Sequence, residues 1–251
     1  MDYKYLRTTY IRYLRNFLAK DEMTATTYDK FMALAYAVRS EFVDHWINTQ
    51  RGYIGRRRVY LLSMEYIMGK SLYKNMVNLG IEEAFSAAIS SLGISVEELF
   101  EKDDEFDLGN SGKARCAACI LESMATLGLP CMAYGMRYDY GQFRQEIKNG
   151  TQVEAPNDWL HKGHPWEIVR PEYSCTVKFA GECSRADENK PLGPYNWKNA
   201  EEVYAIPYDV PIVGYRNETV NTLRLWSARA AEEFLPDYQN HNDYIRACEE
   251  K

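Results

Sequence analysis

The sequence lacks the features that mark membrane proteins, secreted proteins and nucleic-acid-binding proteins. No hydrophobic run approaches the length of a membrane-spanning helix, and residues 1–17 are charged throughout, without the apolar stretch of a signal peptide. The net charge is -6 and the basic residues are scattered apart from residues 56–58, which argues against a nucleic-acid partner. Six cysteines in 251 residues do not form a disulfide framework of the kind that small secreted domains need. These absences predict a cytoplasmic protein with reduced thiols and with neither a membrane nor a nucleic acid as partner.

The composition is that of an ordinary globular protein. Hydrophobic residues make up 46% of the chain and charged residues 26%, which is enough to bury a substantial core. The sequence contains no internal repeat, no low-complexity segment and no evident linker. We therefore predict a single domain over residues 1–251.

Apolar periodicity in the first part of the chain predicts a long helix followed by a strand. Threonines within residues 24–27 offer N-caps for the helix. Its apolar stripe consists of Phe31, Leu34, Ala35, Val38, Phe42 and Trp46. Residues 59–64 have the length of a strand but no polar alternation, which predicts a strand covered on both faces.

Two more helices and an acidic run follow this strand. One helix is predicted to end at Gly80, and another covers residues 81–92. Ser95 and Glu98 then have the spacing of a capping box. The acidic residues 101–107 favour a solvated connector.

Strands dominate the second half of the sequence. Residues 130–134 predict a second buried strand, and the strand, helix, strand spacing favours a βαβ-like organisation. Further strands, in an antiparallel extension of the sheet, are predicted over residues 173–180, 200–206 and 220–226. Residues 184–199 predict a polar loop or hairpin tip, and residues 240–251 predict a helix. The whole pattern predicts an α/β fold with a mixed sheet flanked by helices.

The most informative stretch is residues 108–128, in which a turn containing two glycines runs into an amphipathic helix. The apolar face of this helix consists of Ala114, Ala117, Ala118, Leu121 and Ala125. Gly128 predicts its end. The first amides of a helix have no partner within it, and the positive end of the helix dipole lies behind them. The turn therefore predicts an anion site.

Other reactive side chains have simpler interpretations. Cys116 and Cys119 have the spacing of a redox motif, but they lie within the helix rather than at its start, which favours a buried pair of thiols. His161 and His164 lack a further ligand at matching spacing, so we predict a polar, aromatic-rich loop and no metal site. Asp158 and Glu167 could in principle form the pair of carboxylates that a glycosidase uses. Because the chain has 36 acidic residues, the presence of these two gives almost no evidence for such a site.

Several segments together resemble one family, the α-glucan phosphorylases, which include glycogen, starch and maltodextrin phosphorylases. The segments occur in the family's order and span nearly the whole chain. They are ATTYDKFMALAYAVR, RRVYLLSMEYIMGKSL, LGNSGKARCAACILESMATLGLP, YGMRYDYGQFRQ, NDWLHKGHPWE and AIPYDVPIVGYRNETVNTLRLWSA. The resemblance is to this family rather than to glycosyltransferases in general.

The resemblance implies transfer of a terminal glucosyl unit from an α-1,4-glucan to orthophosphate, which gives glucose 1-phosphate, with pyridoxal phosphate as cofactor. It also implies the GT-B fold, whose site lies between two Rossmann-like halves, and this chain corresponds to the N-terminal half. The lysine that forms the Schiff base belongs to the family's other half, and no equivalent lysine motif occurs here. We therefore expect no catalytic residue in this chain, and a homodimer in the full-length form.

The family's glycine loop, written G-N-G-G-L-G-R-L, holds the substrate phosphate with its backbone amides. The resemblance assigns phosphate binding here to Asn110, Ser111, Gly112, Lys113 and Arg115. Ser111, Lys113 and Ala114 stand where the family has glycine, leucine and glycine. A left-handed residue other than glycine costs on the order of 1 kcal/mol, so we expect the helix to keep its place and the phosphate contacts to weaken. Lys70 stands where the family generally has arginine, which removes bidentate geometry.

Two functions fit these observations. The first is the N-terminal portion of an α-glucan phosphorylase that lacks the C-terminal cofactor domain and is inactive by itself. The second is a non-catalytic module that keeps the phosphorylase framework and binds glucan or assembles with a full-length phosphorylase.

Overall fold

The structure is a computed structural model that describes residues 3–185 and 195–230, so the helix predicted over residues 240–251 lies outside the described residues. The α-helices are α1 Tyr3–Arg12, α2 Thr27–Ser40, α3 Val43–Gly52, α4 Leu72–Leu79, α5 Glu82–Ser90, α6 Val96–Phe100 and α7 Gly112–Thr126. The strands are β1 Val59–Leu62, β2 Cys131–Met136, β3 Arg144–Lys148, β4 Thr151–Ala155, β5 Ile168–Val169, β6 Cys175–Phe179, β7 Glu182–Arg185, β8 Tyr195–Lys198, β9 Glu201–Val213 and β10 Val220–Ala230. A π-helical turn, Tyr13–Phe17, follows α1.

The described residues fall into two compact units. The first unit consists of residues 3–168 and 209–225, and the second consists of residues 169–185, 195–208 and 226–230. All seven α-helices and the parallel strand pair belong to the first unit.

Helix α2 begins as its threonines predict. The Thr26 hydroxyl accepts a hydrogen bond from the Asp29 amide at 3.1 Å, and the Asp29 carboxylate accepts one from the Thr26 amide at 2.9 Å, which completes a capping box. The prediction of one continuous helix as far as Trp46 is wrong, because the backbone of Phe42, with ψ near 0°, separates α2 from α3. The apolar stripe continues across this break, since Phe42 and Trp46 are both buried.

A parallel pair of strands forms the centre of the first unit. Strand β1 pairs with β2, with Val59 opposite Cys131 and Leu62 opposite Tyr134. Helices α4 to α7 lie between the two strands in the sequence, which provides the long crossover that parallel strands need. The sheet then continues from β2 to β10 and β9. This pairing confirms the predicted βαβ-like organisation.

Strand β1 is more exposed than its apolar sequence suggests. Val59, Tyr60 and Leu62 are 50%, 56% and 75% exposed, whereas β2 alternates between buried and partly buried residues. The prediction of a strand covered on both faces is therefore wrong for β1 in this chain. An unbroken apolar run shows that both faces of a strand could be buried, but it does not show that other elements cover them. Among the described strands, β1 lies at one end of the sheet order.

The acidic run over residues 101–107 is not a simple solvated connector. Asp103 is only 2% exposed, and its carboxylate accepts a hydrogen bond of 2.7 Å from the amide of Leu72. Asp103 therefore satisfies one of the free amides at the start of α4. Burial raises the pKa of this carboxyl above its usual range.

The second unit contains one antiparallel pair that the sequence predicts, β6 with β9, and one that it does not, β7 with β8. Strand β6 pairs with β9, with Cys175 opposite Ala205, and β7 pairs with β8, with Glu182 opposite Lys198. The segment predicted as a polar loop or hairpin tip thus includes strand residues at both of its ends, and its middle, residues 186–194, lies outside the described residues.

Helices and a sheet with both parallel and antiparallel pairs confirm the predicted α/β class. Across residues 3–185 and 195–230, none of the helices has both the length and the apolar character needed to cross a membrane.

Candidate functional site

The turn before α7 depends on one glycine. Gly109 has a φ of 146°, and a Cβ atom at this position would lie 2.5 Å from the Cβ of Glu65. A larger residue would therefore meet both backbone strain and a steric clash. Gly109 allows the turn to pass directly over the side chain of Glu65.

Ser111 is the N-cap of α7. Its hydroxyl accepts a hydrogen bond from the Ala114 amide at 3.1 Å and donates one to the Glu65 carboxylate at 2.7 Å. The amide of Ser111 lies 3.4 Å from the same carboxylate oxygen, and the amide of Asn110 also donates to this carboxylate. The Ser111 hydroxyl, with help from these amides, holds the pKa of Glu65 below its usual range. The carboxylate of Glu65 therefore lies at the turn where the sequence predicts an anion site.

The segment that carries Glu65 is fixed to the turn and to the sheet. The amide of Tyr66 donates to the carbonyl of Leu108 at 3.0 Å, and the amide of Ile67 donates to the carbonyl of Ala114 at 3.2 Å. The Tyr66 hydroxyl donates to the carbonyls of β1 and β2, and burial raises its pKa to about 12. These bonds position Glu65 beneath the first turn of α7.

The five predicted phosphate-binding residues do not all face the turn. Asn110 is exposed, and Gly112 has no atom within 4 Å of the position that a Cβ would take. Lys113 is exposed on the first turn of α7. The guanidinium of Arg115 donates to the carbonyl of Ile67 at 3.0 Å, so this cation supports the Glu65 segment.

The expected left-handed strain is absent at Ser111 and Ala114. Ser111 has φ −83° and ψ 155°, which is extended backbone, and Ala114 is a buried helical residue. The prediction of strain at these two positions is therefore wrong. Among the three residues that differ from the family's glycine loop, Ser111 changes the contacts of the turn, because its hydroxyl donates a hydrogen bond to Glu65. Lys70 donates to the carbonyl of Phe100 at 3.1 Å.

Two clefts of the first unit meet at Gly109 and Asn110. The larger has a volume of about 720 Å³, and the smaller, beside Glu65, has about 300 Å³. Four carboxylates line the larger cleft, together with aromatic rings that include Trp159. These carboxylates belong to Asp104, Glu105, Asp107 and Asp158.

The loop that carries the two histidines is partly core rather than a polar loop. His164 is partly buried, with both ring nitrogens shielded from solvent, and the centre of its ring lies 3.9 Å from that of Phe106, whereas His161 is exposed beside Asp158. Burial lowers the pKa of His164 to about 3, so the ring stays neutral near pH 7. In the part of the chain that the structure describes, no three His, Cys, Asp or Glu side chains are grouped as metal ligands.

Glu167 belongs to a buried ion pair. Its carboxylate accepts from Nε and Nη2 of Arg137, with the shortest distance 2.8 Å, and the two side chains are 5% and 10% exposed. Burial raises the pKa of Glu167, and the Arg137 guanidinium opposes that rise. Asp158, its partner in the carboxylate pair considered above, instead lies 3.8 Å from the imidazole of His161.

The two cysteines of α7 are exposed, so the prediction of a buried pair of thiols is wrong. The predicted alanine and leucine face of α7 is buried as expected, and Cys116 and Cys119 lie on the other side of the helix. Both thiols are free, as are those of Cys131, Cys175 and Cys183, while Cys248 lies outside the described residues.

Together, a parallel strand pair, a glycine turn and a helix whose N-cap hydroxyl donates to a carboxylate define an α/β protein with a carboxylate held at a helix N-terminus. The sequence profile of the phosphorylase family, described as carbohydrate phosphorylase, matches residues 89–251. The chain belongs to the carbohydrate phosphorylase family.

Relatives with known names agree with this assignment. The brain form of glycogen phosphorylase from Homo sapiens is 48% identical over 244 residues, and the liver form from the same species is 46% identical over 245 residues. The brain form from Bos taurus is 47% identical over 244 residues. Each comparison covers 96% of this chain, and the chain spans 28% of the length of these relatives.

Sequence reasoning missed Glu65 as a member of the site. The residue lies in the segment that carries the resemblance, MEYIMGK, but it is 46 positions from Ser111 and no local pattern links the two. A second missed contact joins the side-chain amide of Asn157 to the carboxylate of Asp107 at 2.5 Å, beside the larger cleft.

Proposed function

We propose that this chain forms the phosphate-binding side of an α-1,4-glucan phosphorylase, as the N-terminal Rossmann-like half of a GT-B arrangement. The observation that carries the proposal is the Glu65 carboxylate on the amides and hydroxyl of Asn110 and Ser111. Groups that hold a carboxylate at a helix N-terminus are also suited to phosphate. Membership of the carbohydrate phosphorylase family supports orthophosphate as the oxyanion.

Binding of phosphate at this turn requires Glu65 to move away. A carboxylate and a phosphate repel each other, and both would use the same donors. Once Glu65 has left, the amides of the turn can donate to phosphate oxygens, and Lys113 adds a positive charge on the same turn. The space beside Gly112 allows a ligand to approach the backbone closely.

The larger cleft supports a glucan as the second substrate. Its carboxylates and the side chain of Asn110 can exchange hydrogen bonds with sugar hydroxyls, and the exposed ring of Phe143 offers an apolar surface. In the proposed reaction the terminal glucosyl unit passes from the glucan to the phosphate, and glucose 1-phosphate is the product.

The described residues do not fit pyridoxal phosphate. The larger cleft contains Lys162 and Arg144, but Arg144 is paired with Glu146, and the four carboxylates of the cleft would oppose the cofactor's phosphate. We therefore assign no step of the reaction to a cofactor on these residues. We propose instead that the pyridoxal phosphate of the family is held by protein segments outside this sequence.

We further propose a cytoplasmic location and a homodimer for the full-length form. Five free cysteines support a reducing compartment. Sedimentation of a full-length form tests the dimer, and a monomer at micromolar concentration would contradict it.

The phosphate proposal can be tested by titration of the isotope-labelled chain with inorganic phosphate, followed by the amide NMR signals of Ser111, Gly112 and Lys113. We expect these signals to shift with phosphate and to shift at lower concentrations in Glu65→Gln, which removes the competing charge. Sodium chloride at equal ionic strength is the control. If phosphate moves none of these signals in either protein, the turn is not a phosphate site.

Turnover is a separate test. The chain is mixed with glucan, phosphate and pyridoxal phosphate, and glucose 1-phosphate is measured. We expect none, because the chain offers no cofactor lysine. Sustained production of glucose 1-phosphate would show that our assignment of the cofactor to other segments is wrong.

A further inference from the structure

The outer face of α7 carries two thiols that the proposed function does not use. Cys116 and Cys119 are both exposed and both free, whereas Ala117 and Ala118 between them face the core. Residues three positions apart on a helix are neighbours, with Cβ atoms about 5–6 Å apart. The two thiols are therefore adjacent and open to solvent.

This separation favours a bridging atom over a direct disulfide. A disulfide needs Cβ atoms about 3.5–4.5 Å apart, so it would require the helix to distort. An atom bonded to both sulfurs spans a larger distance and leaves the helix intact. Soft thiolate ligands select soft, thiophilic centres.

The number of available protein ligands limits which metal or metalloid atom the two thiols can bind. A structural zinc site needs four protein ligands, and no group of three or more candidate ligand side chains is found within residues 3–185 and 195–230. A trivalent arsenic that already carries one carbon substituent needs only two sulfurs. We propose that Cys116 and Cys119 form a dithiol site for monosubstituted trivalent arsenicals.

The reaction is a condensation without a change of oxidation state. An organoarsenic(III) oxide reacts with the two thiols, two arsenic–sulfur bonds form, and two sulfur–hydrogen bonds break. The oxide oxygen leaves as one molecule of water with the two thiol protons. No oxidant or reductant is required.

The test uses phenylarsine oxide at one equivalent, followed by excess 2-mercaptoethanol and intact-protein mass spectrometry. A single-thiol adduct exchanges with the monothiol, whereas a two-thiol ring resists it because the second bond is intramolecular. We expect the wild type to retain one arsenical and to release it to 1,2-ethanedithiol. Loss of the arsenical to 2-mercaptoethanol alone would overturn the proposal.

Matched variants locate the site. We expect Cys116→Ala and Cys119→Ala each to lower retention at least tenfold, and a combined Cys175→Ala, Cys183→Ala and Cys248→Ala variant to retain the arsenical fully. The opposite pattern would place the adduct elsewhere. Because alanine is the best helix former, α7 should tolerate both changes. Alkylation mapping of the wild type needs no variant, and failure of the arsenical to protect Cys116 and Cys119 together would also overturn the site.

Discussion

Glu65 and Glu167 are two acidic residues of the same unit, and they are held in different ways. Glu167 is buried and accepts two hydrogen bonds from a guanidinium, whereas Glu65 is partly exposed and accepts from the hydroxyl and amides of a turn. Burial raises the pKa of Glu167, and the Ser111 hydroxyl lowers that of Glu65. A carboxylate paired with a buried cation is part of the fold, while we propose that the carboxylate of Glu65, held by neutral donors at the surface, gives way to phosphate.

The largest effect should come from breaking the buried pair. Arg137→Met leaves the Glu167 carboxylate buried without its cation, and we expect a loss of about 3–5 kcal/mol in the free energy of unfolding. Urea unfolding measures this loss. The control is the double variant Arg137→Met/Glu167→Leu, which removes both charges and should recover much of the stability. A single variant as stable as the double variant would show that the pair does not anchor the fold.

A smaller effect separates capping from anion binding. Thr26 and Ser111 both cap a helix and both contact a carboxylate, so Thr26→Ala and Ser111→Ala should each cost about 1 kcal/mol of stability. Only Ser111→Ala should also change the response of the Gly112 and Lys113 amides to phosphate. If phosphate shifted the Gly112 and Lys113 amide signals equally in Thr26→Ala and Ser111→Ala, Ser111 would be a structural cap like Thr26 and not part of an anion site.

Ser111→Gly should change stability still less, because glycine replaces a serine N-cap at a cost of only a few tenths of a kcal/mol. The variant also removes the donor that holds Glu65. We therefore expect phosphate to bind roughly fivefold more tightly, which corresponds to about 1 kcal/mol for one hydrogen bond. NMR titration gives the affinity, and a weaker phosphate interaction would show that the hydroxyl serves phosphate rather than Glu65.

The smallest expected effect is the change in the free energy of unfolding as the pH is lowered. Because the folded-state pKa of Glu65 is lowered, its contribution to stability is present above its unfolded pKa of about 4.3 and is lost as the pH falls through the folded value. The stability difference between wild type and Glu65→Gln should therefore shrink between pH 7 and pH 3. Glu167 has a raised pKa and the opposite sign, so its protonation favours the folded state as the pH falls. Urea unfolding across this pH range tests both signs.

Local sequence patterns predicted the helices and strands, whereas the contacts of the candidate site join residues that are far apart in the sequence. Helix α7 follows from the spacing of its small apolar residues and from the glycines on either side, and every residue of that face is buried. The contact between Glu65 and Ser111, and that between Asp103 and Leu72, join residues far apart in the sequence. No periodicity or spacing encodes such pairs, so the sequence could predict the turn before α7 but not the contact of that turn with Glu65.

Of two wrong predictions, one had a signal in the sequence that would have corrected it. The stripe of Ala114, Ala117 and Leu121 defines the buried face of α7, and Cys116 and Cys119 fall outside it. Their exposure therefore follows from the same periodicity that predicted the helix. The break at Phe42 is different, because the apolar stripe continues through it and gives no sign that the backbone turns.

The parallel register of β1 and β2 has a consequence for how the chain folds. Val59 and Cys131 are 72 positions apart, with α4 to α7 between them in the sequence, so this pairing is a contact between distant parts of the chain. Such contacts carry a loop-closure entropy and slow the folding of a domain. The four intervening helices shorten the effective loop once they have formed. We therefore expect these helices to order first, and the strand pair that fixes the Glu65 segment to close late.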